Sequence, residues 1–381
     1  MMKGYLLVFL MTFFLAPVLL AQDSDREELI SAINERIDEL WESSRAPGLS
    51  FSVAFPDGEV KTFTRGFANV EKGERMSAKS KMLGGSTGKV FYSVVALQLI
   101  EEGKLQLDVP IIKWMSDLDW FTRIPNAEEL TVRALMRHES GIPRYVFKED
   151  FQRDVIRDVD KVWKPKELLS YVFDDAPLFA VGEDFSYSDT NYIILCALIE
   201  KLTGNSIYAE VQKRVLDRAG LKDVIPQTGR SFDNIALGYH SPSDPFYPGV
   251  QFDETGKSNY NLQFEWAGGG LVITTRDLAL LGKKIYEGQM FAGDLLDEYF
   301  NGREAAQLGG QWGLGVHIRQ SPLGTVYGHS GFMPGYITNL LYYPEHKFSI
   351  CYQINTSDRE RTSILRELPS VGKVIVDQLD E

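Results

Sequence analysis

Ser86 and Lys89 stand three residues apart at the head of an apolar, helix-length run, Val90 to Leu97. On a helix, positions i and i+3 are neighbours on one face, so this hydroxyl and this amine can meet. A buried lysine loses basicity, far enough in favourable cases to take a proton from serine near neutral pH. Ser-x-x-Lys is the pattern of serine enzymes that transfer acyl groups. Two other motifs overlap it and fail. Gly84-x-Ser86-x-Gly88 has the form of a nucleophile elbow, but that turn needs a buried apolar strand before it, and Met76 to Leu83 is too polar. Gly88-Lys89 suggests a phosphate loop, but Leu83 stands where its first glycine belongs and Val90 where its Ser or Thr belongs.

Ser-x-x-Lys alone is a weak signal, and two further pieces in chain order strengthen it. One is Phe185-Ser186-Tyr187-Ser188-Asp189-Thr190-Asn191-Tyr192, the other Gly328-His329-Ser330-Gly331. Together with Ser86 and Lys89 they resemble the three signatures of the penicillin-recognising serine hydrolases. That superfamily holds class C β-lactamases, D-alanyl-D-alanine carboxypeptidases, D-aminopeptidases and esterases. Leu130 to Pro143, with His138-Glu139-Ser140-Gly141, and Ala267 to Leu278, with Gly268-Gly269-Gly270, are similar to two more of its segments. The likeness runs over about residues 25–360.

The resemblance implies a β-lactamase-like fold and a role for each matching position. Ser86 is the nucleophile that forms an acyl-enzyme, and Lys89 and Tyr187 share the proton transfers, with the choice of base left open. A cationic neighbourhood favours either as base, because it stabilises phenolate and neutral amine alike. His329 and Ser330 stand where many relatives have Lys-Thr, Gly331 lets the strand approach substrate, and the backbone N–H groups of Ser86 and Phe332 form the oxyanion hole. The third position of the second signature departs from the pattern: it holds Asp189, where asparagine is usual. An ionised aspartate accepts hydrogen bonds and cannot donate them, and it holds a nearby lysine protonated. Either Asp189 pairs with Lys89 and leaves Tyr187 as the base, or the substrate lacks the usual amide. Both options favour an esterase or unusual peptidase over an efficient β-lactamase. The alternatives are a β-lactamase or carboxypeptidase and, from another class, a catalytically silent binding or scaffold protein.

The elements that must position these residues are readable in outline. Ser24 and Glu27 form a capping box ahead of Leu29, Ile30, Ile33, Ile37, Leu40 and Trp41 at helical spacing. Leu49, Phe51, Val53 and Phe55 alternate, Pro56-Asp57-Gly58 turns, and a second strand runs through Arg65, giving a hairpin packed on that helix. Helices follow at Leu130–Met136, Lys166–Phe173 and Asn191–Leu202, the last closed by Gly204. Strands return as a meander at Gly324–Tyr327, Tyr336–Tyr343 and Phe348–Ile354, with helix after Asp358. The expected class is α/β plus α: an antiparallel sheet built from both termini, flanked by helices, with an inserted helical domain. The expected boundaries are residues 22–80 with 262–381 for the α/β domain and 81–261 for the helical one, with a long surface loop at 240–262 and the site between the domains.

Composition sets the outer limits. The 381 residues carry a formal net charge of −13, which argues against nucleic acid. Lys3, the apolar stretch Gly4 to Leu20 and Ala21 read as a secretory signal over residues 1–21, so a periplasmic or secreted protein without a membrane anchor is expected. Cys196 and Cys351 sit in apolar runs and read as buried free thiols. No His-Glu-x-x-His or paired Cys-x-x-Cys occurs, so neither metal nor cofactor is expected, and the partner is a small-molecule or peptide substrate. His138 reads as a loop brace, His240, His317 and His346 as surface or turn residues, Asp277 as a helix pin, and Trp120, Trp266 and Trp312 as core.

Overall fold

The structure, a computed structural model, describes residues 8–244, 246 and 249–379, with side chains from residue 25 onward. Of the leader expected over 1–21, residues 1–7 lie outside the described residues and the rest falls in the stretch whose side chains lie outside them. The helix expected to begin at Ser24 is instead α1 (Val8–Glu42). The chain ahead of Ser24 is itself helical from Val8, so Ser24 lies within the helix and not at its start. Among the described residues, no helix is long and apolar enough to cross a membrane.

The chain forms two compact units. One comprises residues 1–45 and 363–381, in which α1 lies against the C-terminal helix Val371–Leu379 and Arg36 donates to Ser370 Oγ at 3.1 Å. Leu29, Ile33, Ile37 and Leu40 of the helical stripe are buried, as their spacing requires.

The other unit, residues 46–362, is built on one antiparallel sheet. Its strands in chain order are β1 (Gly48–Ala54), β2 (Val60–Asn69), β3 (Glu74–Arg75), β4 (Met82–Leu83), β5 (Ile225–Pro226), β6 (Leu271–Ile273), β7 (Arg303–Glu304), β8 (Gln311–Trp312), β9 (His317–Ser321), β10 (Gly324–Met333), β11 (Tyr336–Tyr343) and β12 (Phe348–Ile354). Nine of them form the sheet in the order β3-β2-β1-β12-β11-β10-β9-β8-β7, and β4-β6-β5 form a small second one. The expected sheet from both ends of the chain is present, joined where β1 pairs with β12, Leu49 opposite Ile354 and Phe51 opposite Tyr352. Both faces of β1 are buried. Helix α4 (Thr275–Tyr286) covers the face that carries Ser50 and Ser52, whose hydroxyls meet Thr275 Oγ1 at 2.8 and 2.7 Å. Hydroxyls on a buried face need such partners.

Between β3 and β7 the chain is mostly helix and loop. Two helices at its centre, α2 (Lys89–Glu101) and α3 (Asp189–Thr203), are apolar nearly all round and buried nearly all round. Their N-termini carry the first two signatures. Asp277, at the start of α4, is a pin as expected: its carboxylate accepts from the backbone N–H groups of Lys222 and Asp223 at 2.9 and 2.7 Å. Cys196 and Cys351 are free and buried.

Candidate active site

Strand β4 delivers the chain to a tight turn, Gly85–Gly88, that leads directly into α2 and carries Ser86. The turn is held by close backbone approaches that exclude side chains. A Cβ on Gly88 would lie 1.7 Å from the Gly269 carbonyl oxygen, and one on Gly331 would lie 2.0 Å from that of Gly84. Strand β9 pairs with β10 only through Gly328, and past that point the Ser86 turn lies beside β10. The close approach that Gly331 makes here is to the turn that bears Ser86, not the approach to substrate expected of it. The Phe332 backbone lies against Gly85 in the same place.

Lys89, one turn into α2, is fully buried, and its ammonium donates to Ser86 Oγ at 3.1 Å, to Asp189 Oδ1 at 2.8 Å and to the Gly268 carbonyl. Three donors thus meet three acceptors. Burial opposes the charge, but Asp189 and then Tyr187 outweigh it and hold the ammonium above the ordinary lysine value. Asp189 opens α3 and is 4% exposed. Its Oδ2 accepts from Arg144 through Nε at 2.9 Å and Nη2 at 2.6 Å. Burial resists its ionisation, yet Lys89 and Arg144 hold the carboxyl well below the usual carboxylate range. Asp189 thus pairs with Lys89, the contact that the first of the two options requires.

Tyr187 precedes α3 by two residues. Its hydroxyl is buried without a hydrogen-bond partner among the described residues, with Ser86 and Lys89 as its polar neighbours. Burial pushes its pKa up and Lys89 pulls it back, leaving it raised. The ring is packed by His138 at 4.2 Å and Trp312 at 5.4 Å between centroids, with His329 at 6.4 Å. His138 is the loop brace expected: its Nδ1 accepts from Ser188 N–H at 3.2 Å and faces Asn191 Nδ2 at 3.1 Å. His329 Nδ1 donates to the Ser330 carbonyl at 2.7 Å, which leaves Nε2 as a bare acceptor, buried and unpartnered among the described residues. Burial, reinforced by Lys89, pushes the His329 pKa down to about 3, so the imidazole is neutral.

Two cavities meet over Ser86. The larger, about 960 Å³, is walled by Tyr187, Trp312, His329, Ser330, Gly331 and Phe332 among others, and the smaller, about 130 Å³, by Tyr145, Phe147, Phe246, Phe264 and Met333 with Asp189 and Glu265. Every residue expected at the site lines one or both except Lys89, which lies beneath the floor. Arg144 was not expected, although it directly follows the His138–Pro143 segment. Glu265 was not either. It is a lone acid in an apolar run, buried, accepting from Gln227 Nε2 at 2.9 Å, and burial pushes its carboxyl up to about 7. Two of the surface readings for histidine are corrected. His317 is buried against the wall, donating to the Gly309 carbonyl at 2.6 Å and stacking on Trp312, and His240 is buried and paired with Gln251. Trp312 is core and cavity wall at once, because it lies where the sheet edge borders the opening.

A family model described as Beta-lactamase matches residues 33–368. The chain is 23% identical over 310 residues to penicillin-binding protein 4* of Bacillus subtilis (strain 168), covering 77% of this chain and 64% of that protein. It is 22% identical over 293 residues to a teichoic acid D-alanine hydrolase of Staphylococcus aureus (strain MRSA252), covering 75% and 66%. It thus spans just under two thirds of each of these relatives. In three dimensions it is similar to the D-amino acid amidase from Ochrobactrum anthropi SV3 complexed with L-phenylalanine amide, with a TM-score of 0.77 at 23% identity over 93% of this chain and 99% of that one. That similarity shows the β-lactamase-like fold expected from the signatures. With the family model spanning most of the chain and all three signatures gathered around Ser86, the chain belongs to the beta-lactamase family, among the penicillin-recognising serine hydrolases.

Proposed function

We propose that the protein is an exported serine hydrolase that acts on an ester or amide through an acyl-enzyme on Ser86. The observation that carries this reading is the contact of Ser86 Oγ with the buried Lys89 ammonium, 3.1 Å apart, at the floor of an open cavity. In the mechanism this geometry supports, Lys89 stays protonated and acts as a fixed charge. The phenolate form of Tyr187, the minor form at neutral pH because burial leaves its pKa raised, is stabilised by that charge and takes the Ser86 proton while Oγ bonds to the substrate carbonyl carbon. The oxyanion is met by the N–H groups of Ser86 and Phe332. The same proton passes from Tyr187 to the departing alcohol or amine, and water then releases the acid by the reverse sequence. Ser330 and Gly331 line the substrate path, and His329 offers a neutral acceptor.

Esters and D-amino-acid peptides suit this site better than β-lactams, because Asp189 offers no donor where asparagine would. The names of two relatives, a teichoic acid D-alanine hydrolase and a D-amino acid amidase, point the same way. Export rests on the residues of the leader, and the N-terminus of the protein recovered from cells is expected near Gln22. The activity is tested by labelling with a fluorophosphonate and with a β-lactam probe, locating the adduct by mass spectrometry. An adduct on Ser86, lost in Ser86→Ala along with turnover of p-nitrophenyl esters or D-amino-acid amides, is expected. No adduct with either probe would replace this reading with that of a silent binding protein.

A further inference from the structure

Single exposed apolar side chains are ordinary, but several gathered in one place mark a surface that something covers. Among the described residues eight large hydrophobic side chains are exposed, and four of them, Phe147, Leu178, Leu308 and Phe332, line the larger cavity over Ser86. The cavity wall comprises only 19 of the 381 residues, so the four are concentrated there. They come from four separate stretches of chain. Phe147 follows the His138–Pro143 segment, and Leu178 is tied to that segment through its N–H, which donates to the Gly141 carbonyl at 2.8 Å. Leu308 lies between β7 and β8, and Phe332 stands on β10 opposite Ile337 of β11, which also lines the cavity. No single run of sequence accounts for the gathering, and the fold assembles it around the opening.

The four residues are 46–63% exposed. The backbone of Phe332 lies against Gly85 in the turn that bears Ser86, so this exposed residue stands directly beside the nucleophile. Ser86 needs only the ester or amide group of its substrate. The cavity, about 960 Å³, lies at the upper end of the roughly 300–1,000 Å³ of ligand pockets. The molecule that fills it extends well past its scissile bond, and there it meets the apolar rim. Full burial of one methylene is worth about fourfold in an equilibrium constant. A chain lying on an open rim is covered on one side, and gains about twofold per methylene.

We propose that the substrate carries an apolar tail beyond its scissile bond, and that Phe147, Leu178, Leu308 and Phe332 hold this tail at the mouth of the cavity. The inference rests on the reading of Ser86 as nucleophile, and names the substrate class of that same site. It is tested with esters matched in all but chain length, each kept below its micelle-forming concentration. For a tail on the acyl side, p-nitrophenyl octanoate is compared with p-nitrophenyl butyrate. For a tail on the leaving side, 4-octylphenyl acetate is compared with phenyl acetate. In at least one pair the longer ester is expected to exceed the shorter about tenfold or more in kcat/KM, as about twofold for each added methylene requires. In the double variant Leu178→Ser, Leu308→Ser that ratio is expected to fall about threefold or more. Both side chains are exposed, so the fold tolerates the change, and a ratio cancels any general loss of turnover. Val162→Ser removes an apolar side chain that is just as exposed but lies outside the cavity, and is expected to leave the ratio within about twofold of wild type. A longer ester that gains less than this, a smaller fall in the leucine variant, or an equal fall in Val162→Ser would each overturn the proposal. An unchanged ratio in the leucine variant would assign the rim to another occupant, a second copy of this chain or a lipid surface. Labelling of Ser86 by a short-chain fluorophosphonate separates these outcomes from failure of the hydrolase reading, since labelling without a preference for the longer ester keeps the hydrolase and removes the tail.

Discussion

Replacing Asp189 with asparagine keeps the shape of the side chain and removes its charge. In the wild-type protein one carboxylate oxygen meets Lys89 at 2.8 Å and the other meets Arg144 at 2.6 and 2.9 Å. An asparagine has one oxygen and one NH2, so one of the two cations would face a donor. Breaking a buried ion pair costs about 3–5 kcal/mol, because the remaining charge stays buried. Lys89 is fully buried, but the Arg144 side chain is 31% exposed and water offsets part of its loss. The lower end, about 3 kcal/mol, is expected at pH 7. The carboxyl of Asp189 is held below its ordinary value, so its contribution is present above the unfolded pKa of about 3.9 and fades as pH falls below it. Lys89 is held above its ordinary value, so its contribution is full below about 10.4 and fades above that. Urea unfolding should therefore show the gap between wild type and Asp189→Asn widest from about pH 4 to 10 and smaller at pH 3.

The same substitution bears on the base. The negative charge of Asp189 raises the pKa of Lys89 and of Tyr187 alike. Whichever group takes the Ser86 proton, removing that charge lowers its pKa, and the acidic limb of kcat/KM for p-nitrophenyl butyrate moves to lower pH. Asparagine also restores a donor, so turnover of a chromogenic cephalosporin is expected to rise. A stability gap under about 1 kcal/mol at pH 7, well short of the cost of breaking a buried pair, would refute the energetic argument. Unchanged ester turnover and pH profile, with no gain on the cephalosporin, would refute the chemical one.

Three further substitutions probe the walls of the site. Gly331→Ala places a Cβ 2.0 Å from the Gly84 carbonyl oxygen, so strand and turn must separate; a loss of about 1–3 kcal/mol in urea unfolding and slower labelling of Ser86 are expected. His329→Gln tests the neutral imidazole. With its pKa pushed down to about 3, the unfolded state binds the proton first, and wild type should lose on the order of 2–3 kcal/mol between pH 7.5 and 4.5 that the variant keeps. Glu265→Gln has the opposite sign. The carboxyl is pushed up to about 7, so wild type loses stability as pH rises from about 4.3 toward 7, and the variant should be the more stable at pH 8 but not at pH 4.5.

What the sequence could tell depended on whether a residue's role was set by its neighbours along the chain or across space. Tyr336–Tyr343 and Phe348–Ile354 were legible as strands because apolar runs bounded by a turn specify them locally. Ser86 and Lys89 were legible because helical spacing alone brings them together. Ser50 and Ser52 alternate with the apolar residues of their strand, and the helix that buries them, α4, comes more than two hundred residues later. Arg144 was illegible for the same reason, since what makes it significant is a carboxylate 45 residues away. His240 precedes a polar stretch and His317 lies between Val316 and Ile318, and what pairs each of them in the interior, Gln251 and the Gly309 carbonyl, is set by the folded chain. At Ser24 a local signal misled, because the helix already runs through it from Val8.

The question left open by the motifs was which of Lys89 and Tyr187 takes the serine proton, and the charges around the pair bear on it. His138 and His329 flank Tyr187, and burial pushes the pKa of both down, so neither adds a charge near neutral pH. Asp189, which would disfavour a phenolate, is engaged on both oxygens by Lys89 and Arg144. The Lys89 ammonium has an acceptor for each of its three protons, so releasing one would break a buried contact. The Tyr187 hydroxyl, by contrast, has no hydrogen-bond partner among the described residues. Moving a proton from Ser86 to a Tyr187 phenolate leaves the Lys89 contacts in place, while moving it to Lys89 first requires the ammonium to give up the proton it points at Ser86, against the charge of Asp189 that holds it protonated. On this ground the proposed mechanism takes Lys89 as the electrostatic partner and Tyr187 as the base, and restoring asparagine should let the two roles approach one another.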